Sequence, residues 1–135
     1  MGGASVRYIV DNLDRAVEFY MAHLGFEVHV RPSPGFAILQ RGDLRLLLNT
    51  PGESGGAGES MPDGSLPESG GWNRFQIEVA DIEGTVRQLR DTGANFRNEI
   101  VTGKGGKHIL LEDPANNLIE LFEPWPTHVH TKLSE

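Results

Sequence analysis

Hydrophobic and polar residues alternate near the start of the chain and again near its middle. In SVRYIV (5–10) and in RFQIEV (74–79) every second residue is apolar. A period of two is typical of a strand with one buried and one exposed face. Each segment is therefore predicted to form a half-buried β-strand.

A helical pattern follows each predicted strand. The first helix is expected to begin after Asp11 and Asn12, whose side chains are good helix caps, and to end at Gly25. The second is expected to begin after Asp81 and to end at Gly93. Apolar residues at helical spacing would form one face of each helix: Leu13, Val17, Tyr20 and Leu24 in the first, and Ile82, Val86 and Leu89 in the second.

Three more strands are predicted after each helix. They fall near 27–31, 36–40 and 44–49 in the first half of the chain, and near 95–101, 107–112 and 118–123 in the second. A shift of 69 positions places Val6 on Phe75 and Leu13 on Ile82, so the two halves carry the same pattern. The chain is predicted to consist of two βαβββ modules.

The predicted modules are residues 4–50 and 72–126 of a single domain, and a C-terminal tail follows at 127–135. The connector between the modules, 51–71, contains seven glycines, three prolines, four acidic residues and no basic residue. This composition is typical of a flexible linker, and it also suits a mobile flap over a site. Both interpretations stay open at this point.

Composition narrows the classes of partner. The chain has 135 residues and a net charge of -7, so nucleic-acid backbones are not expected partners, whereas a cationic small ligand is compatible. The absence of cysteine fits a cytoplasmic protein. The sequence contains no run of about 18 apolar residues, so no membrane span is expected. The segment MGGASVRYIV (1–10) lacks the basic and apolar regions of a signal peptide.

Two segments, DNLDRAVEFYMAHLGFEV (11–28) and GGKHILLEDPANNLIELFEP (105–124), resemble the signatures of the vicinal oxygen chelate superfamily. This superfamily includes glyoxalase I, extradiol dioxygenases, and the fosfomycin- and bleomycin-resistance proteins. The resemblance implies an α+β fold, in which two βαβββ modules form an incomplete mixed β-barrel around a ligand cavity. It also implies a homodimer, often with a shared cavity. The family often has glycine where this chain has Asn116, and asparagine tolerates the same left-handed backbone conformation.

The resemblance also implies a metal site. In metal-dependent members, four side chains from the first and last strand of each module commonly hold a divalent ion. Alignment places these positions at Ser5, Leu46, Arg74 and Glu120. Only Glu120 is a credible ligand, because leucine has no donor atom, arginine repels a cation and serine binds weakly. We therefore expect no metal and no other cofactor, with a divalent metal as the alternative.

The five histidines do not supply a second set of ligands. His23 is expected near the C-terminal end of the first helix, where it interacts favourably with the helix dipole. His128 and His130 fall in the predicted tail and are expected to be exposed. His29 and His108 lie on predicted strands and could face the cavity. His108 could hydrogen-bond a ligand or transfer a proton.

Glu120 is unusual because it interrupts an apolar strand, LIELF (118–122). An inward carboxylate needs a partner. Arg74 could pair with Glu120 inside the protein. Arg7 could pair with Glu78, and each of these groups could also hydrogen-bond a ligand. Alternation predicts six side chains on the concave face of the strands: Ser5, Arg7, Arg74, Gln76, Glu78 and Glu120.

Aromatic side chains near these strands would supply apolar contacts to a ligand. Trp72 is the first candidate, followed by Phe36, Phe122 and Trp125. The full set of residues predicted to bind a ligand is Arg7, Phe36, Trp72, Arg74, Gln76, Glu78, His108, Glu120 and Phe122.

We expect a metal-free, cytoplasmic and homodimeric protein that binds a medium-sized organic molecule, such as an antibiotic or another natural product, and acts by sequestration. The alternative is an enzyme. It could be a metal-dependent lyase, dioxygenase or thiol transferase, or a metal-free isomerase with Glu120 or His108 as the base. A third interpretation is a regulatory or interaction module with a vestigial cavity.

Overall fold

A computed structural model of the chain describes residues 3–52 and 57–126. The chain divides into two compact units. The first comprises the residues up to Asn73 together with the turn Asp113–Asn117, and the second comprises Arg74–Glu112 and the segment from Leu118 onwards. The predicted tail, with His128 and His130, lies outside the described residues.

The first unit contains one helix and a four-stranded sheet. Its elements are β1 Ser5–Ile9, α1 Leu13–Leu24, β2 Glu27–Ser33, β3 Phe36–Arg41 and β4 Leu44–Asn49. The strand order in the sheet is β1-β4-β3-β2. β1 runs parallel to β4, and the two other neighbouring pairs are antiparallel.

Local sequence explains where α1 begins and ends. The side chain of Asn12 accepts a hydrogen bond from the backbone N–H of Arg15 and so caps the first turn. Gly25 has a φ of 72°, in the left-handed region that glycine adopts without strain, and its N–H donates to the carbonyl of Tyr20. Both predicted ends of this helix are confirmed.

The second unit repeats the arrangement 69 positions later, because β5 begins at Arg74 where β1 begins at Ser5. Its sheet has the order β5-β9-β8-β6, and β7 also pairs with β8. Asp81 caps its helix by accepting from the N–H of Gly84. The elements are β5 Arg74–Glu78, α2 Ile82–Asp91, β6 Asn95–Phe96, β7 Val101–Thr102, β8 Gly106–Glu112 and β9 Leu118–Pro124.

One predicted strand, 95–101, was wrong. Two strands of two residues each, β6 and β7, lie there instead and both pair with β8. Between them, the side chain of Asn98 accepts the N–H of Leu110 over 2.9 Å, while the N–H of Arg97 still donates to the carbonyl of Leu110. A side chain therefore replaces one backbone acceptor, and the regular pairing is interrupted.

Each sheet has one buried face and one face that is more open. In the first unit, α1 contacts β2, β3 and β4, and in the second unit α2 contacts β9. The buried side chains alternate along the strands, as predicted: Tyr8, Ala37, Leu39, Leu46 and Leu48 in the first sheet, and Ile77, Ile109, Leu111, Ile119 and Leu121 in the second. We call the opposite side of each sheet its helix-free face.

The turn Asp113–Asn117 is organised around one buried carboxylate. Asp113 Oδ1 accepts the N–H groups of Ala115 and Asn117, and Oδ2 accepts the phenol of Tyr20 over 2.8 Å. The pKa of Asp113 lies above its ordinary value, because the effect of burial exceeds the lowering effect of these hydrogen bonds. Asn116 has a φ of 68°, so the prediction that asparagine takes the left-handed conformation here is confirmed.

The predicted α+β class and the repeated modules are confirmed. No helix within the described residues is long and apolar enough to cross a membrane.

Candidate ligand-binding site around Glu120

The helix-free face of the second sheet brings together most of the predicted site residues of that unit. Gln76 lies opposite Glu120 in the parallel pair of β5 and β9, and Glu78 lies opposite Phe122. Phe122 in turn lies opposite His108 on β8. Because directly opposed residues share a face, these side chains form one surface. The face carries Arg74, Gln76, Glu78, His108, Leu110, Leu118, Glu120 and Phe122.

Glu120 has protein partners at both carboxylate oxygens. Nε and Nη2 of Arg74 each lie 3.1 Å from Oε1. Nε2 of Gln76 donates to Oε2 over 2.7 Å. The carboxylate in this apolar strand is thus held by an internal ion pair and by an amide, and the pair with Arg74 is the one that the sequence suggested.

This ion pair is only partly buried. The side chain of Glu120 is 17% exposed and that of Arg74 is 33% exposed. Water therefore screens the attraction between the two charges. Breaking this pair should destabilise the protein less than breaking a fully buried pair would.

The surroundings of Glu120 keep it ionised. Partial burial raises its pKa, but the hydrogen bonds from Gln76 and Arg74 and the charges of Arg74 and His108 together lower the pKa below its ordinary value. A carboxylate with a lowered pKa is a weak base near neutral pH. The site is therefore better suited to electrostatic recognition than to proton abstraction by Glu120.

The register corrects one residue of the expected metal site. Arg7 lies opposite Leu47 in β1 and β4, as Gln76 lies opposite Glu120 in β5 and β9. The residue equivalent to Glu120 is therefore Leu47. The predicted position, Leu46, is wrong, because the Leu46 side chain is fully buried on the opposite face of its sheet. A shift of one residue moves a side chain to the other side of a strand.

The residues at these positions do not fit a divalent ion. Leu47 has no donor atom, and Arg74 places a cation 3.1 Å from the carboxylate that an ion would use. Ser5 is exposed at its own position on β1. The donor set is thus one carboxylate that is already engaged by two protein groups, which is poor for Zn²⁺, Mn²⁺ or Fe²⁺.

A different group of carboxylates lies at the start of α2. Ligand atoms of Asp81, Glu83 and Glu123 lie within 4.8 Å of one another. Each carboxylate already has a structural partner, since Asp81 caps the helix, Glu123 accepts the N–H of Ile82, and Glu83 pairs with Lys107. Negative charge at a helix N-terminus is favourable without any ion.

The helix-free face of the first sheet carries Arg7 and Phe36. Nη1 of Arg7 donates to Oδ1 of Asn49, and the guanidinium lies over the Phe36 ring, 5.8 Å from its centroid. Asn49 is 2% exposed and was not foreseen as part of a site. It ends the apolar run LRLLLN, so its sequence position suggests only the end of a strand. Pairing of Arg7 with Glu78 would join the two units and stays a prediction.

The remaining candidates lie elsewhere in their units. Trp72 is 66% exposed. Trp125 donates from Nε1 to the carbonyl of Gly103 over 3.2 Å, which ties it to the turn between β7 and β8. His29 is exposed on β2, and His23 contacts Phe19 in the last turn of α1. These contacts do not assign a functional role to any of the four residues.

Comparison with known proteins identifies the class. The family model of the Glyoxalase/Bleomycin resistance protein/Dioxygenase superfamily matches residues 4–121. The chain therefore belongs to this superfamily. A search of curated proteins found no significant match.

Solved structures with the same fold include both enzymes and binding proteins. A superfamily member from Sphaerobacter thermophilus superposes with a TM-score of 0.71 at 22% identity, covering 91% of this chain and 97% of that one. Lactoylglutathione lyase from Agrobacterium tumefaciens gives 0.68 at 22% identity, with coverage of 88% and 90%. The antibiotic-binding protein TnmS3 from a Streptomyces species gives 0.68 at 18% identity, with coverage of 92% and 96%. At these identities the likeness shows the fold alone.

Proposed function

We propose that the protein binds a small organic molecule without a metal and acts by sequestering it. The observation that carries this proposal is the state of Glu120, whose two oxygens accept hydrogen bonds from Arg74 and Gln76. Protein donors occupy the carboxylate that a divalent ion would need. The similarity to TnmS3, an antibiotic-binding protein, is compatible with an antibiotic or another natural product as the ligand.

The ligand would contact the helix-free face of the second sheet. Charged and amide groups at Arg74, Gln76 and Glu78 would orient it, and Phe122 with His108 would supply a partly exposed aromatic edge. A few polar groups among apolar ones is the usual composition of a ligand site. Arg7, Phe36 and Trp72 belong to the first unit, and their role in ligand binding stays a prediction from the sequence.

An enzymatic role is the competing proposal. A metal-free isomerase needs a general base whose pKa lies near neutral pH. The pKa of Glu120 is lowered instead, which disfavours Glu120 as that base. His108 shares the same face and remains the candidate base for this alternative. Loss of activity toward a substrate in His108→Gln, with binding retained, would favour the enzyme.

Metal content tests the metal-free part of the proposal. The full chain, purified without a tag and dialysed, is expected to carry well under one equivalent of Zn, Ni, Mn or Fe by elemental analysis. Stoichiometric metal that survives dialysis and is lost in Glu120→Ala would overturn it.

A homodimer in the cytoplasm completes the proposal. β2 is an edge strand that is exposed along its whole length, and an exposed edge strand favours association through its backbone groups. Sedimentation equilibrium at micromolar concentration should give twice the chain mass. A mass of one chain would leave each ligand site within a single protomer.

A further inference from the structure

Arg7 lacks the carboxylate partner that five other cations have in the described part of the chain. Arg31, Arg74, Arg90, Arg97 and Lys107 each lie within 4.0 Å of a carboxylate. Within residues 3–52 and 57–126, no ion pair includes Arg7. Within its own unit the charge of Arg7 is thus uncompensated by a neighbouring carboxylate, in a chain whose net charge is -7.

The guanidinium of Arg7 is nevertheless held in place. Asn49 accepts one of its N–H groups, and the Phe36 ring lies beneath it. Asn49 is itself fixed, because its side chain is buried and its carbonyl accepts the N–H of Val10 over 2.9 Å. A guanidinium has five N–H donors in one plane, so a single amide leaves donors for a second acceptor. An arginine that is oriented beforehand loses less conformational entropy when it binds.

An apolar row runs across the sheet from Arg7. Leu47 lies directly opposite Arg7, Ile38 lies opposite Leu47, and Val30 lies opposite Ile38. Leu47 and Ile38 are partly exposed, and Val30 is 41% exposed. Four neighbouring strands about 4.8 Å apart make this row about 14 Å long.

We propose that the helix-free face of the first sheet binds an apolar organic acid, with the acid group at Arg7 and the apolar body along Leu47, Ile38 and Val30. Arginine recognises a carboxylate through two parallel N–H···O bonds, which gives orientation as well as affinity. The apolar row would remove the hydrocarbon part of the ligand from water, which adds affinity to the contact at Arg7. This inference goes beyond the proposed function, because it places a second ligand on the other sheet and names the chemical class of that second ligand.

The test uses 4-phenylbutyrate as the probe, with 4-phenylbutan-1-ol as its neutral control and 4-phenylbutylamine as its cationic control. Binding to the full chain is followed by calorimetry and by the side-chain N–H resonance of Arg7, which is assigned by its absence in Arg7→Lys. The acid should bind saturably, with a Kd at least about tenfold below that of the alcohol. Equal binding of alcohol or amine, or no saturable binding of the acid, would overturn the inference.

Variants locate the binding on this face. Arg7→Met should raise the Kd of 4-phenylbutyrate by at least about tenfold, and Arg7→Lys should raise it less, because lysine keeps the charge but not the planar pair of donors. Arg87→Met removes a cation from α2 and serves as the matched control, with an unchanged Kd. An unchanged Kd in Arg7→Met, or an equal rise in Arg87→Met, would contradict the proposed position.

A second substitution keeps the test informative if Arg7→Met does not fold. Asn49→Asp keeps the shape of the side chain and gives Arg7 a carboxylate partner of its own, so binding of the acid should weaken by about tenfold. Unaltered binding in a folded Asn49→Asp protein would refute the role of Arg7. Failure of these measurements while other organic molecules still bind at Glu120 would leave the proposed function intact.

Discussion

Gln76 Nε2 lies 2.7 Å from Glu120 Oε2, because the two residues face each other in the parallel pair of β5 and β9. The same register places Arg7 opposite Leu47 in the first sheet. One module therefore has an amide and a carboxylate where the other has a guanidinium and an apolar side chain. The two modules thus carry different side chains at equivalent positions of the same fold.

The Arg74–Glu120 pair should contribute modestly to stability. Glu120→Gln is expected to lower the free energy of unfolding by about 1 kcal/mol, because the pair is partly exposed and screened by water. Urea unfolding of the single variants Glu120→Gln and Arg74→Met and of the double variant gives the coupling between them. The double variant should lose less than the sum of the two single losses. Strictly additive losses would show that the two side chains do not interact in solution.

The contribution of Glu120 should depend on pH. Its pKa in the folded protein lies below the ordinary value of 4.5, so its stabilising effect is present above the unfolded pKa and is lost as pH falls through the folded pKa. The difference in unfolding free energy between wild type and Glu120→Gln should be constant near neutral pH. It should shrink in acid, as the pH falls through the lowered pKa of Glu120. A difference that grows on acidification would mean that the folded pKa is raised.

Removing the phenol of Tyr20 should destabilise the Asp113 turn. Tyr20→Phe takes away the donor at 2.8 Å from a carboxylate that is 3% exposed, and should cost about 1–3 kcal/mol in urea unfolding. Burial raises the pKa of Asp113, so the ionised carboxylate depends on its hydrogen-bond donors. The loss of stability in Tyr20→Phe should therefore be larger at neutral pH, where Asp113 is ionised, than in acid. Tyr8→Phe provides a comparison at another buried tyrosine. A Tyr20→Phe protein as stable as wild type at both pH values would contradict this account.

Asn116 allows a matched pair of substitutions. Its φ of 68° is strained for alanine and unstrained for glycine. Asn116→Ala should lose about 1 kcal/mol of stability, whereas Asn116→Gly should stay within about 0.5 kcal/mol of wild type. Thermal unfolding of both variants under one condition measures the difference. Equal stability of the two would show that the backbone of this turn rearranges.

Much of the fold could be predicted because local signals repeat. The same alternation and the same type of helix cap occur at Asn12 and at Asp81, 69 positions apart. The strand at 95–101 could not be predicted as two pieces, because the interruption depends on Asn98 reaching the N–H of Leu110 on another strand. That contact leaves no trace in the local pattern.

The site was less accessible to sequence reasoning. In LRLLLN every position from Leu46 to Leu48 is leucine, so the pattern does not tell which side chain shares a face with Arg7. Only the pairing of β1 with β4 shows that Leu47 does. Asn49 was missed for the same reason, because its role depends on Arg7, which is 42 residues away in the chain. Glu120 was found because a charge among apolar residues is visible without any pairing information.

Capture of a ligand in the presence of a chelator tests the central claim most directly. The full chain is incubated with EDTA and a natural-product library and examined by native mass spectrometry, beside Glu120→Gln and the control Glu99→Gln. Glu99 is 86% exposed, so its replacement removes one surface charge and an exposed ion pair with Arg90, away from Glu120 in the sequence and in its contacts.

Wild type and Glu99→Gln should each retain a library compound at one per chain without metal. Glu120→Gln should retain it at least about tenfold more weakly, because it removes the charge that Arg74 and Gln76 hold in position. Retention that requires added Zn²⁺, Ni²⁺, Mn²⁺ or Fe²⁺, or equal retention by Glu120→Gln, would contradict a metal-free site at Glu120.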